Sequence, residues 1–161
     1  MSDQYQFAAD TGKILDIVID SLYSQKEIFL RELVSNASDA ISKRQLASLQ
    51  GAAAGSFDGT ISIAADKKAK RLTITDNGIG LNDEDLKNTL GTIASSGTKA
   101  FLEQLDRSGE KSDSQSQLIG QFGVGFYAAF MVAERVEVLS KKSDSDKAFC
   151  WTSDGKSGFT I

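Results

Sequence analysis

The sequence predicts an α+β fold in which helices pack against a sheet built from hairpins. Two observations carry this prediction: apolar residues recur at helical spacing before residue 50, and they alternate with polar residues in short segments after residue 60. The chain has 161 residues and a mass of 17.3 kDa, which is enough for one hydrophobic core. We therefore expect one domain over residues 1–161.

Two helices are predicted in the first third of the chain. Apolar residues at 14, 15, 18 and 22 predict an amphipathic helix over residues 10–22. A longer helix is predicted from about residue 26 to residue 49, with leucine, valine and isoleucine on one side. The opposite side of that helix carries a polar stripe that contains Glu32, Asn36 and Asp39.

A β-hairpin is predicted next, with strands at residues 60–65 and 71–76 around the polar turn 66–70. Side chains alternate along a strand, so Leu72, Ile74 and Asp76 share one face of the second strand. That face is the one expected to meet the core. We therefore expect Asp76 to be buried. Because an unpaired buried carboxylate is costly, we also expect it to have a dedicated partner, either in the protein or in a ligand.

The remaining segments predict a short helix, a flap and further strands. Asn82 and the acidic residues after it predict the N-cap and first turn of a helix that carries Leu86 and Leu90. Residues 91–120 contain the low-complexity tract SGEKSDSQSQ and predict a mobile flap. Strands are predicted at residues 136–140 and 148–152. The strand pattern at 159–161 leads us to expect that the natural domain continues past residue 161.

Composition restricts the possible chemistry. With 18 Lys+Arg against 22 Asp+Glu, the net charge is -4, which argues against charge-driven binding to nucleic acid or to an anionic membrane. The chain has no histidine and a single cysteine, Cys150. Histidine-based acid–base catalysis, histidine-ligated metals and internal disulfides are therefore excluded. We expect Cys150 to be a half-buried apolar residue in a strand.

A cytoplasmic location is expected. The start of the chain, MSDQYQF, lacks a basic and apolar secretory signal. The longest weakly polar run, residues 122–133, is shorter than the roughly 20 residues that span a bilayer.

The first candidate site lies in RELVSNASDA on the long helix. Glu32 and Asn36 are four residues apart, so they are neighbours on one helix face. A carboxylate and an amide oxygen placed in this way can meet one ligand together with Mg²⁺. An ordinary solvated helix face accounts for the same spacing.

The second candidate site is TDNGIGL. Asp76 ends a strand, and Gly78 and Gly80 after it allow a ligand to approach the backbone closely. This arrangement suits recognition of an amine donor and the ring beside it. A tight turn between strand and helix is the alternative interpretation.

The third candidate site is GQFGVGF, which precedes an apolar stretch. Backbone N–H groups in a glycine-rich turn at a helix N-terminus form an anion cradle that needs no net positive charge. The alternative is a loop whose glycines let a buried helix start close to its neighbours. The chain contains no P-loop pattern, and no strand immediately precedes these glycines as a dinucleotide fingerprint requires.

Together the three segments resemble the ATP site of the GHKL superfamily, which groups gyrase, Hsp90, histidine kinases and mismatch-repair ATPases. The resemblance is closest to the N-terminal nucleotide-binding domain of the Hsp90 chaperones, and most of all to the bacterial members. It is carried by YSQKEIFLRELVSNASDA, LTITDNGIGL, LGTIASSGTKAF and IGQFGVGFYAAFMVA, which lie in the family's order between residues 23 and 133.

The resemblance implies a fold and a domain plan. The fold is a two-layer α/β sandwich of the Bergerat type, in which helices cover one face of a mixed, mainly antiparallel sheet. Residues 91–120 correspond to the ATP lid. The domain would be incomplete at residue 161, because the family's sheet has further strands.

The resemblance also implies residue roles. Glu32 is similar to the general base that orients the attacking water, Asn36 to the Mg²⁺ ligand, and Asp76 to the acceptor for the adenine amino group. Gly80 is similar to the glycine beside the purine, and residues 120–126 to the turn around the phosphates. The full set implied to bind ATP or ADP is Asn36, Asp39, Ala40, Asp76, Gly78, Ile79, Gly80, Leu81, Thr89, Leu90, Ser95, Gly120, Gln121, Phe122, Gly123, Val124, Gly125 and Phe126.

The function implied is that of an ATP-dependent chaperone, with ATPase activity in the full-length parent and weak or no turnover in this chain. Client proteins, co-chaperones and a homodimer formed through a C-terminal domain are the implied partners, without nucleic acid or membrane. Two alternatives stay open. One is a DNA-directed ATPase of the same superfamily, against which the block LGTIASSGTKAF and the acidic charge argue. The other is an interaction fragment with an incomplete ATP site.

Overall fold

The computed structural model describes residues 3–5, 26–50, 57–91 and 125–161. The predicted helix at 10–22 and almost all of the predicted flap at 91–120 lie outside these residues. The described elements, in chain order, are β1 (Gln4–Tyr5), α1 (Ile28–Gln50), β2 (Ile61–Asp66), β3 (Arg71–Asp76), α2 (Asp83–Leu90), a 3₁₀ helix (Gly125–Met131), β4 (Val136–Lys141), β5 (Ala148–Ser153) and β6 (Phe159–Thr160).

The α+β class is confirmed. Every strand pair among the described residues is antiparallel. The pairs form a four-stranded sheet in the order β1-β6-β5-β4 and a separate two-stranded sheet of β2 and β3. The helix α1 packs against the 3₁₀ helix and against β3, so it joins the two sheets.

The long helix α1 begins and ends close to its predicted limits. Ile28 and Ala37 are its buried residues, whereas Leu46 and Leu49 near its C-terminal end are exposed. Its apolar side is thus covered from Ile28 to about Ile41 and uncovered at Leu46 and Leu49. Among the described residues, no helix combines the length and apolar character needed to cross a lipid bilayer.

The core is formed where α2, the 3₁₀ helix and the four-stranded sheet meet. Leu86, Tyr127 and Trp151 are fully buried there. The Trp151 ring stacks on Phe159 with a centroid separation of 5.7 Å, and Phe126 meets it edge-on at 5.6 Å. Such aromatic pairs add directional packing energy to the area that they bury.

A buried hydrogen bond connects two elements of this core. The Tyr127 hydroxyl donates to the carbonyl oxygen of Leu90 at the end of α2. Burial raises the pKa of Tyr127 above its usual value, so the hydroxyl stays protonated and able to donate.

The helix α2 starts at the predicted N-cap. The Asn82 side chain accepts a hydrogen bond from the Asp85 N–H at 2.8 Å, and an Asp85 carboxylate oxygen accepts from the Asn82 N–H at 3.2 Å. This reciprocal pair is a capping box. Leu86 and Leu90 face the core, as their spacing predicts.

The predicted β2–β3 hairpin is present, with Ile63 opposite Ile74 and Ala65 opposite Leu72. The prediction that its apolar face is buried is wrong, because Ile63 is 50% and Leu72 44% exposed. The reason is tertiary: α1 meets the hairpin at its Gly59 and Gly78 end, and the other end extends away from that contact.

Cys150 is also more exposed than predicted. It lies in β5 as an exposed free thiol, next to the fully buried Trp151. Neighbouring side chains point to opposite faces of a strand, so the burial of Trp151 directs Cys150 outward.

We expect Tyr127→Phe to lower the free energy of unfolding by about 1–3 kcal/mol, because the buried Leu90 carbonyl loses its hydroxyl donor. Chemical denaturation followed by tryptophan fluorescence measures this change. The control is Ser42→Ala, which removes an exposed hydroxyl that donates to the Ser38 carbonyl at 3.1 Å. An equal effect of the two substitutions would contradict the assigned role of the buried hydrogen bond.

Candidate functional site

The candidate site is organised along one stripe of α1. Glu32, Asn36 and Ala40 follow one another at four-residue intervals, so they lie one above the other on the helix surface. The two ends of this stripe contact two glycine-containing segments, Gly125 at Glu32 and Gly78 at Ala40. The two contacts are eight residues apart, about 12 Å along the helix axis.

The loop 76–81 packs directly on the Ala40 end of the stripe. A Cβ at Gly78 would lie 2.5 Å from the Ala40 carbonyl carbon and 2.7 Å from the Ile41 nitrogen, so only glycine permits this approach. The Ile79 N–H donates to the Ala40 carbonyl oxygen at 2.9 Å. The loop is thus attached to α1 through backbone atoms.

Asp76 is more exposed than predicted. It is exposed at the end of β3, and its Oδ1 accepts a hydrogen bond from the Gly78 N–H at 2.8 Å. The expected partner exists, but the expected burial is wrong, because the hairpin face that carries Asp76 is largely uncovered. No described residue donates to its Oδ2.

Asn77 is a residue whose role the sequence analysis missed. Its side chain accepts from the Thr60 N–H at 2.8 Å and donates to the Asp58 carbonyl at 2.8 Å. Its own carbonyl accepts from the Arg44 guanidinium at 2.6 Å. Asn77 therefore holds the end of β3 to the start of β2 and to α1, through partners too distant in sequence to be inferred from a pattern.

Gly80 lies against the end of β4. Its φ of +72° is in the left-handed region, and a Cβ there would overlap the Lys141 carbonyl. On either side of Gly80, the Leu81 N–H donates to Ser140 Oγ and the Ser143 N–H donates to the Ile79 carbonyl, both at 2.8 Å.

An ion pair extends this contact to α2. Lys142 Nζ lies 2.7 Å from Asp85 Oδ2. The hydrogen bond from Lys142 holds the pKa of the Asp85 carboxyl below its usual value, and the same bond raises the pKa of Lys142. The two residues are 57 positions apart, so no local sequence signal reveals the pair.

Glu32 lies at the other end of the stripe. Its side chain is only 13% exposed, with Oε1 3.7 Å from an Arg31 guanidinium nitrogen. A Cβ at Gly125 would come within 2.8 Å of Glu32 Cγ. The carboxylate is therefore held beside the first residue of the 3₁₀ helix by close packing. Asn36, one turn further along α1, is exposed between the two glycine contacts.

The glycine-rich turn is described only at its end. Gly125 and Phe126 are buried, and Phe126 belongs to the aromatic core. Both residues belong to the seven-residue 3₁₀ helix Gly125–Met131, which is tighter than the α-helix geometry usual for anion sites.

The other predicted site residues have these positions. Asp39 and Thr89 are exposed, Leu81 is half-buried against the core, and Leu90 is buried. Outside the described residues lie Ser95, Gly120, Gln121, Phe122, Gly123 and Val124.

An α+β domain that places a carboxylate, an amide and two glycine segments on one helix corresponds to the GHKL class of ATPases. Residues 23–157 match the family described as histidine kinase-, DNA gyrase B-, and HSP90-like ATPase. The chain belongs to this family, which confirms the resemblance drawn from its sequence motifs.

Among individual proteins, the chain is similar to bacterial chaperones. It is 55% identical to the chaperone protein HtpG of Roseobacter denitrificans, over 100% of this chain and 26% of that protein. It is 51% identical to the HtpG of Gluconobacter oxydans and 53% identical to that of Helicobacter hepaticus, again over 26% of each protein. The chain spans about a quarter of the length of these curated relatives.

We expect Gly80→Ala to destabilise the protein by about 1–2 kcal/mol or more, because alanine is strained at a positive φ and its Cβ meets a backbone carbonyl. The free energy of unfolding measures this effect. The comparison is Gly59→Ala: Gly59 is not among the glycines of positive φ, and its Cβ would overlap the Ile41 side chain rather than a backbone carbonyl, so a larger loss at Gly80 reports the backbone strain and the approach to β4. Equal stability of the Gly80 variant and the unsubstituted chain would refute the close approach to β4.

Proposed function

We propose that this chain is the ATP-binding domain of an Hsp90-type chaperone, with the nucleotide lying along the α1 stripe between Gly78 and Gly125. One observation carries the proposal. Two backbone segments pack on the helix α1 through Gly78 and Gly125, and Asn36 is exposed between these two contacts. The exposed carboxylate of Asp76 lies near one end of the stripe, and Glu32 lies at the other end. The family membership and the similarity to HtpG chaperones support the same assignment.

The adenine would be recognised at the Asp76 end. Asp76 is exposed and already oriented by its bond from the Gly78 N–H, so its other carboxylate oxygen can accept a hydrogen bond from an amino group. Ile79 to Leu81, Thr89 and Leu90 would supply the surrounding contacts. The loop bonds to α1 and β4 reduce the cost of ordering it when the nucleotide binds.

The phosphates would lie toward Glu32 and the 120–126 turn, and Ser95 is proposed as a further nucleotide contact. Glu32 would act as the general base that orients water for attack on the γ-phosphate. Phosphoryl transfer depends mainly on positioning and charge stabilisation, so a carboxylate held in place by Gly125 suffices without histidine.

The residues at this site fit a Mg²⁺ ion that is shared between the protein and the phosphates. Among the described residues, no group of three or more carboxylate, histidine or cysteine side chains could hold a metal ion. Mg²⁺ commonly uses one or two protein oxygens together with phosphate oxygens and water. Asn36, exposed at the centre of the stripe, would hold the ion and neutralise phosphate charge through it.

The activity of the whole protein is proposed on the same basis. ATP binding and closure of a lid at residues 91–120 would drive conformational changes that assist the folding of client proteins, with co-chaperones and a second copy as partners. The proposed location is the cytoplasm. Hydrolysis would require the longer protein, and this chain by itself would bind the nucleotide with weak or no turnover.

We expect the chain to bind Mg-ATP saturably in calorimetric titration and Asp76→Asn to abolish or strongly weaken binding, because the amide presents a donor to the adenine amino group. The matched control is Asp66→Asn at the other end of the hairpin. Asp66 Oδ1 accepts from the Lys68 N–H at 2.9 Å, so both substitutions remove one charge at a similar two-residue turn.

Equal weakening by the two substitutions would contradict the adenine role of Asp76. No binding by the unsubstituted chain would favour the alternative of an interaction fragment with an incomplete site. Turnover stimulated by DNA in the full-length protein would favour a DNA-directed ATPase.

Glu32→Ala should retain nucleotide binding and lower ATP turnover in the full-length protein by about 10²-fold or more, the usual contribution of a general base. Glu32→Gln should behave similarly while it preserves the packing on Gly125. Phosphate release measures turnover, with the exposed Glu134→Gln as control. Unchanged turnover in both Glu32 variants would refute the assignment of the base.

A further inference from the structure

We propose that Lys142 is a positioning residue, whose ion pair with Asp85 holds the loop 76–81 and the start of α2 against the end of the β4–β5 hairpin. The effect on ATP affinity rests on the proposed function; the effect on the loop does not. Neither residue belongs to the set that family resemblance implies, and neither is proposed to touch the nucleotide.

The ion pair acts on a carboxylate that already has a structural role. Asp85 Oδ2, which lies 2.7 Å from Lys142 Nζ, is the oxygen that accepts from the Asn82 N–H and completes the capping box. The Lys142 and Asp85 side chains are 29% and 33% exposed, so solvent screens the pair only in part. Lys142 thereby fixes the position of the first turn of α2.

The ion pair is one member of a continuous contact, which we call the 140–143 seam. Within it, Ser140 Oγ accepts from the Leu81 N–H, the Lys141 carbonyl lies against Gly80, and the Ser143 N–H donates to Ile79. Four consecutive residues of one hairpin thus meet the glycine loop or the helix after it. The β4–β5 hairpin thus supports the geometry of the loop from outside the proposed nucleotide site.

The expected strength of the Lys142–Asp85 ion pair indicates whether Lys142 affects global stability or local opening of the loop. Partly exposed ion pairs contribute little to global stability, and here the aromatic core joins α2 to the four-stranded sheet independently. Loss of the Lys142 charge should therefore leave global unfolding almost unchanged. It should instead increase local opening of the loop, whose Leu81 N–H and Ile79 carbonyl are hydrogen-bonded to Ser140 and Ser143 beside Lys142.

The direct test is amide hydrogen exchange on the chain without nucleotide. Lys142→Met keeps the aliphatic length and removes the charge, and it should speed exchange at the Leu81 and Ser143 amides about twofold to fivefold, as expected for a partly exposed pair. Lys142→Arg should restore protection. Lys68→Met, at an exposed lysine in the turn between β2 and β3, makes the same charge change away from the seam and should have no effect.

The second test is calorimetric titration with Mg-ATP. Lys142→Met should weaken affinity by a similar factor, with Lys142→Arg and Lys68→Met close to the unsubstituted chain. In the Asp85→Asn background, Lys142→Met should cause little further loss, because the two residues act through one pair.

The outcomes separate the two proposals. Unchanged exchange at the loop amides in Lys142→Met overturns the positioning role, as does faster exchange spread equally to core amides such as that of Trp151. Faster loop exchange with unchanged ATP affinity overturns the link between the seam and the site. If the unsubstituted chain binds no ATP, the proposed function fails, while the exchange result still decides whether Lys142 positions the loop.

Discussion

The close approach of two backbone segments to one helix is the constraint on which the candidate site depends. At Gly78 the loop backbone touches the backbone of α1, and at Gly125 the 3₁₀ helix touches the Glu32 side chain. A side chain at either position would push the segment outward by the size of a methyl group or more. The spacing of the two contacts along α1 is therefore set by backbone geometry, which leaves Asn36 exposed between them.

Polar contacts hold the loop 76–81 on both sides of Gly78. Asn77 and Arg44 attach its beginning to β2 and α1, and Ser140 and Ser143 attach its end to the β4–β5 hairpin. Most of these bonds involve backbone groups, which must be paired where they are shielded from water. A site built in this way can keep exposed carboxylate and amide groups in a defined position without burying them, which suits a polar ligand.

Local signals made most of the fold predictable. The limits of α1, the two hairpin strands and the cap at Asn82 depend on spacing and on neighbours within a few residues, so the sequence shows them directly. Burial was harder to infer. The alternation in β2 and β3 predicts a buried face, but Ile63 and Leu72 are exposed. A strand face is buried only where another element packs on it, and the alternation does not show which element does so. Asp76 was misplaced into the interior for the same reason.

By itself, the sequence determined the α+β class, the family and the residue types at the candidate site, because helical periodicity, turn glycines and motif order are properties of the linear chain. Only the tertiary structure decided which segments meet. It placed Gly78 and Gly125 on the same stripe of α1, brought Lys142 to Asp85 and left Asp76 facing outward. Contacts between residues far apart in sequence depend on how elements pack, and no periodicity within one element records the identity of its neighbour.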